Sequence, residues 1–136
     1  MKLLLDSNVI VSGLLSTKSS PGQLMRLWRE RYCEWVTCEQ QLAELTVVLC
    51  RPWVASRVDG SLGSVYAFMR EFHGKTTQLT LEPPFEPVCR DPNDDFLLAM
   101  LTRHPIDFLV SGDKDLLSLK HLYPTILTPR ELIDRL

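Results

Sequence analysis

The strongest constraint on this chain is that its short apolar runs stop on acids. Leu3-Leu4-Leu5 ends on Asp6-Ser7-Asn8, and the run from Ile106 to Val110 ends on Ser111-Gly112-Asp113-Lys114-Asp115. A short apolar run bounded by a turn signal reads as a strand buried on both faces, the mark of a parallel sheet. Such sheets carry their sites just past the carboxyl ends of the strands. Neighbouring strands lie about 4.8 Å apart. If strands 2–5 and 107–111 are neighbours, Asp6 and Asp113 come within reach of one ion.

A third acidic stretch, Asp91-Pro92-Asn93-Asp94-Asp95, leads into Phe96-Leu97-Leu98-Ala99-Met100-Leu101. Asp91 reads as an N-cap and Pro92 as the first helical residue, where a missing N–H costs nothing. The helix expected over 93–103 is apolar nearly all round, so it is buried. In that phase Asp94 shares a face with Leu97, Leu98 and Leu101, towards the sheet. Asp95, turned by about 100°, looks towards the rim of the cleft. Carboxylates gathered in this way repel one another and take up protons, and a divalent cation relieves that repulsion. The bland alternative is that each Asp caps a turn or a helix. It fits any one of them, yet caps have no reason to converge.

The rest of the chain alternates strands with helices. Val9 to Leu15 reads as a short helix leaving the first strand. Ser20-Pro21-Gly22-Gln23 is a capping box opening a helix to about Arg31. Leu24, Leu27 and Trp28 line one face of it; Arg26, Arg29 and Arg31 lie largely on the other, as a solvated face or a contact for phosphate. Glu34 to Thr37 is a strand. Thr37-Cys38-Glu39-Gln40 is a second capping box, for a helix that Arg51-Pro52 ends, with Leu42, Leu45 and Leu49 as its core stripe. Glu44 sits at the edge of that stripe, and periodicity alone reads it as exposed. Helices are expected over 53–58 and 61–73, separated by Asp59-Gly60. A strand over 77–81, a proline-rich connector over 82–87 and an edge strand over 124–127 follow. Thr128-Pro129-Arg130-Glu131 is a third capping box, for the closing helix. With no repeat and no dividing linker, 1–136 reads as one α/β domain with a mostly parallel sheet and helices on both faces.

Bulk properties narrow the function. A net charge of −2 creates no whole-molecule attraction for nucleic acid, so any such contact is local or mediated by metal. The four cysteines form no C-x-x-C pair and the three histidines are scattered, which argues against zinc. The N-terminal apolar run is too short for a signal peptide, and no stretch is long enough to span a membrane. The expectation is a cytoplasmic protein with reduced thiols.

These motifs, in this order, resemble PIN-domain proteins. The resemblance rests on Leu4-Leu5-Asp6-Ser7-Asn8-Val9, on Leu42-Ala43-Glu44-Leu45 followed by Arg51-Pro52, on Asp91 to Leu98, and on Val110 to Leu117. The chain is most similar to the bacterial branch of toxins from toxin–antitoxin pairs, akin to virulence-associated protein C, and Leu127 to Leu132 fits that branch too. The resemblance implies a three-layer α/β/α sandwich, a metal-dependent ribonuclease using Mg²⁺ or Mn²⁺, a cognate antitoxin protein and a homodimer. The apolar 9–15 segment is the candidate dimer surface. It also implies an acidic site of Asp6, Glu44, Asp94 and Asp113, with Asp115 as a further metal ligand, and so lifts Glu44 from surface to site. Ser7, Asn8, Asp91 and Ser111 would support these acids. Ser111 stands where the family more often has threonine; a hydroxyl is kept, so its hydrogen bond is expected to survive. Residues 59–75 match no motif.

Oxygen ligands select hard cations, consistent with Mg²⁺ or Mn²⁺. Asp6, Asp94 and Asp113 are the expected ligands, and Glu44 or Asp115 would hold a second ion, orient water or act as general base. Three other readings compete. A haloacid-dehalogenase-type phosphatase needs an Asp where this chain has Asn8. A Toprim-type domain shares the pattern of Asp113-Lys114-Asp115, but expects a glutamate where this chain has Asp6. A non-catalytic nucleic-acid-binding module would not need the full acid set.

Overall fold

The computed structural model describes residues 1–58 and 62–136; the expected break at Asp59-Gly60 lies outside them. In chain order the elements are β1 (Lys2–Leu5), α1 (Ser7–Leu15), α2 (Ser20–Arg29), β2 (Glu34–Thr37), α3 (Glu39–Leu49), α4 (Pro52–Ala55) and α5 (Leu62–Lys75). They continue with β3 (Thr77–Gln78), a 3₁₀ turn over Pro92–Asp94, α6 (Asp95–Arg103), β4 (Phe108–Val110), α7 (Lys114–Leu117), β5 (Ile126–Leu127) and α8 (Pro129–Arg135).

The strands form one parallel sheet in the order β3-β2-β1-β4-β5. Alternation along each strand divides the core in two, because successive side chains point to opposite faces. Leu3, Leu5, Trp35, Val110 and Leu127 pack with α1, α2, α3, α5 and α8 on one side. Leu4, Val36, Leu109 and Ile126 pack with α6 and α7 on the other. This is the three-layer α/β/α arrangement. In the first core the rings of Trp28 and Trp35 stack at 4.4 Å between centroids. The indole N–H of Trp28 donates to the Lys75 carbonyl at 3.2 Å. Arg29 makes a two-pronged ion pair with Glu71, which removes it from the arginines free to meet phosphate.

Several boundaries move by a residue or more, each for a local reason. Ser19, not Ser20, caps α2, its hydroxyl accepting from the Gly22 amide. Gly22 and Gly13 are required there: a Cβ on Gly22 would stand 2.1 Å from the Ser16 carbonyl oxygen, and one on Gly13 2.7 Å from that of Pro21. At the far end of α2, Arg31 takes a left-handed conformation, and the Tyr32 amide reaches back to the Leu27 carbonyl, a Schellman ending. Cys38 rather than Thr37 holds the cap position of α3, with no side-chain capping bond. The third strand is shorter than expected, and the fourth begins after Asp107, whose carboxylate accepts the Lys2 amide at 2.7 Å. The capping box at Thr128 and Glu131 forms in full.

Much of the apolar 9–15 segment serves the chain's own core: Val9, Ile10 and Val11 are buried there, and the partly buried Leu14 and Leu15 pack against it. The cysteines are free thiols, with Cys33 and Cys38 buried and Cys50 exposed. Among the described residues no helix is long and apolar enough to cross a membrane.

Candidate active site

Strand order fixes where the acids meet. Reading outwards from β1, the chain runs to β2 and β3 on one side and to β4 and β5 on the other. The order in which the chain adds strands therefore reverses between β1 and β4, and open α/β sheets bind ligands outside the strand ends at such a point. Leu5 stands opposite Val110, so the next residues, Asp6 and Ser111, emerge side by side.

A relay of hydrogen bonds fixes this edge. The Asp6 amide donates to the Val110 carbonyl at 2.9 Å. The fully buried Ser111 hydroxyl donates to Asp6 Oδ2 at 2.9 Å and accepts the Asp113 amide at 3.0 Å. Asp113 Oδ1 in turn accepts the Asp115 amide at 2.9 Å. The hydroxyl that replaces threonine thus keeps its bond. Ser111→Ala should leave the Asp6 carboxylate and the Asp113 amide without their partner and cost about 1–3 kcal/mol while the fold persists. Urea unfolding beside the wild type would check this.

Asp6 holds the cap position of α1 but makes no capping bond, so its carboxylate is left for the cleft. Burial pushes its pKa up, and the charges of Glu44 and Asp113 add to that, against the Ser111 hydrogen bond. Asp94 is pushed up to about 7, first by loss of hydration, then by repulsion from Asp6, Asp91, Asp113 and Glu44. Acids from four separate segments therefore face one region. Glu44, partly buried on α3, is among them, although its own helix gave no sign of it.

Other predicted residues take lesser positions. Asp91 caps the 3₁₀ turn, its Oδ1 accepting the Asn93 amide at 2.9 Å. Asp115 lies further out, half exposed, 3.8 Å from Arg90 Nη1. Ser7 is buried with its hydroxyl unpartnered among the described residues. Asn8 lines a groove of about 520 Å³ with Gly112 and Asp113.

Asp95 is not at the rim. It is buried, and its Oδ1 accepts the amides of Val88 and Cys89 at 3.1 and 2.7 Å. The 88–90 segment folds back over the start of α6 and covers it. Burial and the Asp95 carboxylate push the Cys89 thiol up to about 12, so it is unreactive near neutrality. Asp95→Ala should cost roughly 3 kcal/mol by orphaning both amides, whereas Asp95→Asn keeps an acceptor and most of the stability. Urea unfolding of both variants would test it.

Gln41 escaped the sequence reading. It is fully buried; its Nε2 donates to the Leu5 carbonyl, and its Oε1 accepts the Thr37 hydroxyl at 2.7 Å. It thus ties α3 to the ends of β1 and β2, one turn before Glu44. The available signal was a polar residue at i, with Leu45 and Leu49 at i+4 and i+8, on an otherwise apolar stripe.

The sequence profile of the PIN domain matches residues 2–115. This chain is a PIN-domain protein. PIN domains are generally hydrolytic nucleases that use divalent metals, and the three-layer sandwich with its parallel sheet agrees with that family. Among curated proteins, the chain is similar to the uncharacterized protein MJ1680 of Methanocaldococcus jannaschii. It is 23% identical, over 98% of this chain and 90% of the relative. No solved structure matches this PIN domain.

The donor set suits a hard divalent cation: it is all oxygen, and loss of hydration together with crowded charge raises Asp94 to about 7. The fit is one of chemistry rather than of finished geometry. Among the described residues, no three His, Cys, Asp or Glu side chains yet stand as a group able to hold an ion.

Proposed function

We propose that this PIN-domain protein is an endoribonuclease that hydrolyses RNA phosphodiesters with Mg²⁺ or Mn²⁺, acting in the cytoplasm as the toxin of a type II toxin–antitoxin pair. What supports the catalytic part is that Asp6, Glu44, Asp94 and Asp113 lie near enough to repel one another, beside the ends of β1 and β4. The toxin role rests on the order of the sequence motifs, and a short reading frame encoding an antitoxin beside this one is its expected companion. A homodimer belongs to the same reading, with the exposed parts of Ser12, Leu14 and Leu15 as the share of 9–15 left for an interface.

Asp6, Asp94 and Asp113 would hold the cation, with Asp115 joining from the outer edge. When bound, such an ion neutralises charge developing on the phosphate and acidifies water. Ser111 favours the ionised form of Asp6, against its burial, and aims it by donating to it. Asp113 is held in place by the amides on either side of its turn. Glu44, on a helix fixed by Gln41, orients the attacking water and accepts its proton. As the water oxygen bonds to phosphorus, the bond to the leaving ribose oxygen breaks, and that oxygen takes a proton from solvent. Ser7 and Asn8 begin α1 beside Asp6, and Asp91 holds the turn that carries Asp94.

Single-stranded RNA incubated with Mn²⁺ should be cut internally, and excess EDTA should stop the reaction. Cleavage undiminished in EDTA would sink the mechanism. Turnover of small phosphomonoesters in place of RNA would favour a phosphatase.

A further inference from the structure

Helix α3 presents a second side to a groove. Leu45 and Leu49 face inward, whereas Glu44, the exposed Val47, the outer part of Val48 and, just past the helix end, Arg51 line a groove of about 640 Å³. The opposite wall is formed by Phe85, Phe96 and the turn that presents Asp94. From the reading of this protein as a ribonuclease, we infer that this groove seats an unstacked nucleobase of the RNA, next to the phosphate being cut.

Charge along the groove argues for a base rather than a phosphate at this position. Its near end is Glu44 and the acid cluster, which repels a phosphate that has no cation beside it. Its middle is uncharged and apolar: Val47 is 64% exposed, and the rings of Phe85 and Phe96 stand across from it. At the far end comes Arg51, exposed and without an ion-pair partner among the described residues. It lies just past the end of α3, at the cap position of α4, beyond Val47 and Val48 from Glu44, where a flanking phosphate can meet it. Acid, apolar slot and cation thus follow the order of scissile phosphate, base and next phosphate.

The walls are built for a flat ring with a polar edge. Arg103 lies over Phe85 at 5.5 Å from the ring centroid, and the carbonyls of Glu82 and Pro84 hold its guanidinium at 2.7 Å each. Arg103 does not line the groove, so the ring offers its other side. Gln40 closes the floor. Its Nε2 donates to the Leu81 carbonyl at 3.0 Å, and its buried Oε1 has no partner among the described residues. That orphan acceptor suits an exocyclic amine, as on adenine or cytosine. Stacking on an aromatic side chain is the usual way single-stranded RNA is held without a duplex.

The test compares full-length wild type with Phe85→Ala and with Val47→Gln, the latter at an exposed position that cannot upset folding. Substrates are single-stranded oligoribonucleotides in Mn²⁺, intact or with one base removed in turn on either side of the cut. Both variants should raise KM by about 10-fold with kcat little changed. Removing one particular base should raise KM of the wild type to the same degree and add little in Phe85→Ala. If both variants keep the wild-type KM, or if every abasic substrate loses equally in all three proteins, the groove does not read a base and belongs to another occupant, such as a protein segment. A wild type that neither binds nor cuts RNA would defeat the nuclease reading itself, and this inference with it.

Discussion

Asp94→Asn is expected to reduce RNA cleavage by at least about 100-fold while making the metal-free protein more stable. The two effects have one cause. Asp94 is partly withdrawn from water and is crowded by Asp6, Asp91, Asp113 and Glu44, and its carboxyl is held at about 7 in the folded protein against an ordinary 3.8. The folded state therefore binds a proton more tightly than the unfolded chain does. Stability from this group is full below about pH 4 and is lost as pH rises through 7. Metal-free wild type should accordingly lose melting temperature between about pH 4 and 7, and Asp94→Asn should lose less over the same window. A cation removes the penalty in the wild type by supplying the missing positive charge; in the variant there is less penalty to remove and one ligand fewer. Melting curves across pH, beside cleavage rates at fixed Mn²⁺, would check both halves. Equal pH slopes in the two proteins would mean that Asp94 is not crowded in solution.

Gln41→Leu should lower the melting temperature by on the order of 10 °C and reduce cleavage at the same time. The substitution fits the space but strands two buried partners, the Leu5 carbonyl and the Thr37 hydroxyl. Each orphaned group costs about 1–3 kcal/mol. The functional loss follows from position: Gln41 ties α3 to the strand ends one turn before Glu44, so slack there moves Glu44 relative to Asp6. Thermal unfolding would read the first effect. kcat measured well below the melting temperature would read the second, and an unchanged kcat there would make Gln41 purely a stability residue.

Legibility in the sequence followed burial. The strands at 2–5 and 108–110 are sandwiched between two helical layers and show as the apolar runs Leu3-Leu4-Leu5 and Phe108-Leu109-Val110, so fold class and these strand ends could be read directly. Acids that follow those strands, Asp6 and Asp113, could be read with them. Residues whose role depends on a second segment could not. Glu44 lies on a solvent-facing stripe of its own helix, and only the approach of the turn at 92–94 makes it part of the cluster. Asp95 was misjudged because the segment that covers it, 88–90, has no periodicity to announce where it folds. Its helix also begins with a 3₁₀ turn, which advances about 120° per residue instead of 100°. Capping boxes erred for another reason: several neighbouring Ser and Thr residues could each cap, and packing chooses between them. Thus Ser19 replaced Ser20, and Thr37 gave its hydroxyl to Gln41.

The central claim is that these carboxylates form one cation site, and a Mn²⁺ titration followed by melting temperature tests it most directly. Only the native state holds the acids together, so a ligand that needs them all stabilises by mass action. In millimolar Mn²⁺ at pH 7.5 the wild type should melt several degrees higher than in EDTA, about 3–5 °C for each tenfold excess over Kd, and Asp94→Asn should barely respond. A melting curve that Mn²⁺ leaves unmoved, or one that it raises equally in both proteins, would contradict the account.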